Sequence, residues 1–139
     1  MKRKITIVHF ILLVAVLSLI ESALIFFEIL PPLSSYSLGN ILFTLVKLAV
    51  IIWMGIVFYE KGLGKSALYG GILGFTSSSI FALVAFISRI YFKKPILGIA
   101  IPSGVSYFLT IAIIILENIL LGAIIAVCAS WITKKLKHK

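Results

Sequence analysis

Residues 103–132 read SGVSYFLTIAIIILENILLGAIIAVCASWI, thirty residues with a single charge, Glu117. A bilayer core of ~30 Å needs about 20 mostly apolar residues for one helical crossing. This run is long enough to cross and then to tilt or project beyond the hydrocarbon. Three runs of the same kind precede it, at about 5–30, 38–59 and 66–91. The stretch Ile111–Leu116 shows none of the polar–apolar alternation of a barrel strand. Backbone polar groups in lipid must be satisfied internally, so the spans are read as helices. The predicted fold is an all-α integral membrane protein, a single transmembrane domain over 1–139 built as a four-transmembrane-helix bundle.

The breaks between runs are chemical. Pro31-Pro32 closes the first, because proline lacks an amide donor and restricts the residue before it. The segment from Glu60 to Lys65 separates the second from the third with charge and two glycines, and Lys93-Lys94-Pro95 ends the third. Phe92 to Pro102 is too short to cross twice and reads as lying in the outer interface. A shallow re-entrant loop is the other reading, allowed only under cover of protein. Lys2–Ile20 has the basic start and apolar core of a signal peptide. Yet the apolar run continues to Leu30 without a small-x-small cleavage site, which favours a retained helix.

The 139 residues are 62% hydrophobic and 12% charged. Soluble domains are about half apolar and a quarter charged, and disorder requires low hydrophobicity, so both classes are excluded. Of 13 Lys and Arg, nine fall on the side of the two termini and the 60–65 break. Arg89, Lys93 and Lys94 fall on the other side, and Lys47 lies within a span. The excess of basic residues in short loops marks the cytoplasmic side, which puts both N and C termini in the cytoplasm of a multi-pass cell-membrane protein. The net charge of +9 then serves topology and attraction to anionic lipid. No interleaving of aromatic and basic residues points to nucleic acid.

The third span carries a stripe of small residues at every fourth position: Ser66, Gly70, Gly74, Ser78 and Ala82, with Ala67 and Gly71 beside it. The fourth span carries Asn118, Gly122, Ala126 and Ser130. Residues four apart share a helix face. Helices in lipid associate by close backbone approach at small residues, so these two faces are expected to pack together. The same stripes would also suit an oligomer interface or a sliding surface.

Polar residues at span centres complete the pattern. Lys47, Ser78, Ser79, Glu117 and Asn118 fall near the middle of their spans, with Glu21 about 5 Å away along its helix, and these six are the candidate buried polar or ion site. A charge at the bilayer centre costs ~2.5–3.5 kcal/mol or more, so each needs a reason. Glu21 and Lys47 lie at equal distances from Ser34, and a hairpin therefore brings them to one depth. Glu28 and Arg89 form a plausible second pair further out. Lys47 can neutralise Glu21 or Glu117 but not both. The carboxyl left over is expected to be neutral, to bind a cation, or to meet a partner's basic group. Hydroxyls from Thr76 to Ser79 could ligate an ion or solute, or bond to carbonyls of their own helix.

Catalytic and cofactor chemistry lack their residues. His9 and His138 cannot form a bis-histidine haem site in one bundle. Cys128 is alone, and Asp and Gln are absent. Gly62-Leu-Gly64-Lys65 is too short to be a phosphate loop. No metal site, cofactor or enzymatic activity is expected. The functional expectation is a small subunit of a larger membrane assembly of transport or secretion type. The alternative is a self-contained homo-oligomeric carrier or channel that uses a buried Glu, coupled to protons or cations. The partners are the lipid bilayer and other membrane-protein subunits or copies of the same chain.

Overall fold

The computed structural model describes residues 5–35, 37–94, 96 and 105–137. Four helices make up the fold: α1 Ile7–Phe26, α2 Leu38–Val57, α3 Leu63–Ile87 and α4 Val105–Lys137. All four are long and apolar enough to cross a membrane. Most of the 92–102 segment, whose interfacial or re-entrant placement the sequence left open, lies outside the described residues.

Local chemistry sets the helix ends. At the start of α1 the Thr6 N–H donates to His9 Nδ1 at 3.2 Å, so His9 serves as a cap. α1 ends at Phe26, short of Leu30, because Glu28 turns into the left-handed region (φ 62°) ahead of the prolines. The Ser37 hydroxyl accepts from the Asn40 N–H to start α2. The buried Asn40 amide reaches back to the carbonyls of Pro31 (3.0 Å) and Pro32 (3.2 Å), fastening the α1–α2 turn. Gly62, at φ 91°, supplies the backbone reversal into α3. A π-helical turn, Ser88–Phe92, follows α3, and Lys93 then turns left-handed (φ 54°).

Around the bundle the order is α1, α2, α4, α3, with α3 and α4 sharing the most extensive contact. Their small-residue stripes meet in antiparallel register. A Cβ on Gly70 would strike the Gly122 carbonyl, and one on Gly74 would strike the carbonyl of Asn118. Ser66 Oγ donates to Ser130 Oγ at 3.1 Å at one end of this seam. Ala126, fully buried, is clasped from a second side: a Cβ on Gly55 of α2 would lie 2.7 Å from its carbonyl. Such backbone proximity is how helices gain dispersion contact where lipid offers no hydrophobic force.

The interior has three levels. One apolar cluster joins Phe10, Val14, Val50, Ile51, Met54, Phe58, Leu73 and Ala126. The other joins Ile25, Phe81, Ala85 and Ile96. Between them lies a polar layer contributed by α1, α2 and α3: Ser18, Glu21 and Ser22, Lys47, and Ser77.

Candidate functional site: a buried ion pair and a carboxyl on the outer face

Lys47 Nζ donates to Glu21 Oε2 at 2.7 Å. Glu21 is wholly buried and Lys47 nearly so. The equal spacing of the two residues from the α1–α2 turn makes this meeting possible. Lys47 Nζ also approaches Ser77 Oγ (3.5 Å) and lies 4.7 Å from the centre of the Phe81 ring, whose π face attracts a cation. Ser18 Oγ donates to Ser77 Oγ (2.9 Å), and Ser22 Oγ to the Ser18 carbonyl (2.7 Å). The second carboxylate oxygen, Glu21 Oε1, is buried with no hydrogen-bond partner. Beside the pair is a cavity of about 90 Å³, whose polar lining is Thr44, Lys47, Ser77 and Asn118. A buried pair of this kind holds helices in register, because taking away one partner strands a charge in a low dielectric.

The serines divide by face. Ser78, on the α4 side of α3, turns back to its own helix and donates to the Gly74 carbonyl at 2.8 Å. Thr76 does the same to Ile72. Ser79 is half-buried and enters none of these bonds. Ser77, the member of the triplet that reaches the ion pair, was one of four hydroxyls named from the sequence, where Ser78 and Ser79 were preferred to it. Its position was readable there in principle: it lies ~100° around the helix from the Ser66–Gly70–Gly74–Ser78 stripe.

Glu117 and Asn118 part company. Asn118 is half-buried at the seam, lines the cavity, and donates from Nδ2 to the Ile114 carbonyl at 2.8 Å. Glu117, expected in the buried polar site, is instead exposed on the outer face of α4 and forms no hydrogen bond or ion pair with any described residue. Its level is that of the polar layer, since Asn118 and Lys47 line the same cavity. Ile113, Leu120 and Ile124, one or two turns to either side, are also exposed. In the most apolar window of α4, 11% of residues are buried in the bundle, against 39% in α3.

The outer pair expected between Glu28 and Arg89 is not formed. Lys94 takes Glu28, at 2.6 Å from Oε1. The cause is the turn after α3: the π-helical residues and left-handed Lys93 fold the chain back, and Ser88 Oγ holds the Lys94 carbonyl at 3.0 Å. Arg89 instead stacks on the Tyr107 ring, 4.5 Å from its centre. The Lys94 ammonium, hydrogen-bonded to it, holds the Glu28 carboxyl below the usual carboxylate range.

Among the described residues no three His, Cys, Asp or Glu side chains gather as metal ligands. Cys128 is a free, exposed thiol. No family model matches the chain, and neither does any curated protein or solved structure.

Proposed function

We propose that this chain is a non-enzymatic, multi-pass protein of the cell membrane, with both termini in the cytoplasm, acting as a small subunit of a larger membrane assembly of transport or secretion type. The observation that carries this reading is Glu117. It is an ionisable side chain near the middle of a membrane-length helix, turned away from its own bundle, on the helix whose apolar stretch has the smallest share of buried residues. Ionisable residues in membrane helices normally face a bundle interior or a water-filled cavity and pair there. A face that breaks this rule in the isolated chain obeys it once another protein covers it. The cytoplasmic placement of the termini rests on the nine-to-three division of Lys and Arg between the two sides.

A second reading is a homo-oligomeric carrier or channel. The observation favouring it is the cavity beside Lys47 together with the unpartnered Oε1 of Glu21. Purification from native membranes in mild detergent, with the mass of the intact complex measured, separates the two. A stable complex with other membrane proteins is the outcome expected for a subunit. A homo-oligomer alone would replace that reading with the carrier.

A further inference from the structure

We infer that the outer face of α4 receives a transmembrane helix of a different protein, one that presents a lysine or arginine at the level of Glu117. This rests on the subunit reading above and names the chemistry of the partner. Three observations carry it.

The first is charge. Within the described bundle the mid-span cation, Lys47, is engaged by Glu21 at 2.7 Å on the inside. Glu117 therefore meets no cation among the described residues of its own chain.

The second is geometry. Around Glu117 the exposed residues Ile113, Leu120 and Ile124 follow a spacing of four, three and four along α4. This is the interval at which one helix seats another in a left-handed crossing, and Glu117 is the ionisable position in that row.

The third is what a second copy would bring. Two copies joined through α4 about a two-fold axis would set Glu117 near Glu117, with Lys47 of each copy shut inside its own bundle. A symmetric contact brings two carboxyls together and supplies no basic group to either. Lipid offers no cation at that level at all. A basic residue on a foreign helix neutralises Glu117 and gives the docking one register, as a lone polar residue does in a helix seam.

The test uses the full-length protein, labelled with a fluorophore at a cysteine placed at Lys137 after Cys128→Ser, in phosphatidylcholine vesicles. The probes are acceptor-labelled polyleucine helices of about 20 residues carrying Lys, Leu or Glu at the centre. Energy transfer reads their association. The Lys helix is expected to bind about tenfold more tightly than the Leu helix, the scale of one polar contact between membrane helices. Glu117→Gln should remove most of that preference, and Glu117→Lys should transfer it to the Glu helix. Equal binding of the Lys and Leu helices overturns the inference. So does a preference that survives Glu117→Gln, or self-association of labelled copies tighter than their binding to the Lys helix. A native complex that purifies while the Lys preference is absent sinks this inference and spares the subunit reading. A Lys preference with no native complex sinks the subunit reading instead.

Discussion

Glu21 and Glu117 are two carboxyls at one level of the same bundle, and they have opposite surroundings. Glu21 is wholly buried, bonded to Lys47, and set in a layer of serines between two apolar clusters. Glu117 stands on the outer side of α4 among exposed isoleucine and leucine, with no bond to a described residue. Position in the chain does not foretell this. Asn118, the next residue, points into the seam with α3. The ~100° between neighbours on a helix is enough to turn one residue into structure and the other into surface. Depth alone does not assign a role to an ionisable residue in a membrane span; the face does.

The inner region can be broken directly. Lys47→Met should strand Glu21 without a partner and cost about 3–5 kcal/mol of stability. Thermal unfolding in detergent should register it as the largest loss among the variants considered. Adding Glu21→Leu to it should recover most of the loss, since an apolar pair of similar volume replaces a buried ion pair at little cost. A Lys47→Met protein as stable as the parent would mean that the pair holds nothing together.

The seam that orients α4 is the next target. Gly74→Leu should cost about 3 kcal/mol, because even its Cβ meets the Asn118 carbonyl and backbone cannot step aside cheaply. The same melting measurement applies, and an unchanged melting temperature would remove the seam as the reason Glu117 faces outward.

A smaller effect distinguishes an exposed pair from the buried one. Glu28 titrates below the usual carboxylate range because it is hydrogen-bonded to Lys94 and attracted by its charge. Its contribution to stability is therefore fully present above the ordinary glutamate value and is lost as the pH falls through the lowered one. Both side chains are largely in solvent, so the change should be slight and should fade in high salt. Unfolding of the parent and of Glu28→Gln, compared from neutral to acid pH, should show the parent's small advantage vanish. An advantage that grows toward acid would contradict the assignment.

Much of this arrangement was legible in the residues. Four long apolar runs foretold four helices of membrane-crossing length. The four-residue spacing of Ser66, Gly70, Gly74 and Ser78, matched by Asn118, Gly122, Ala126 and Ser130, foretold which faces would approach. The hairpin geometry put Glu21 and Lys47 within reach of one another. What failed to show has physical causes. The Lys94–Glu28 pair depends on a π-helical turn and a left-handed lysine, neither of which leaves a periodic trace. The role of Asn40 depends on the turn bringing the Pro31 and Pro32 carbonyls, nine and eight residues earlier, within its reach. The direction of Glu117 stayed open because an almost uniformly apolar helix has no amphipathic stripe to orient it. Only the position of the small residues does that, and they fix one side without saying what meets the other.

The bundle should stand without the Glu117 carboxylate. The most direct measurement is the melting temperature of purified Glu117→Gln beside the parent, free of other proteins, in the same detergent. Gln keeps the shape and loses only the ionisable group, so the two should melt together within error. A drop of several degrees, the mark of a lost ion pair, would place Glu117 in the structure of the bundle and leave no free carboxyl for a partner.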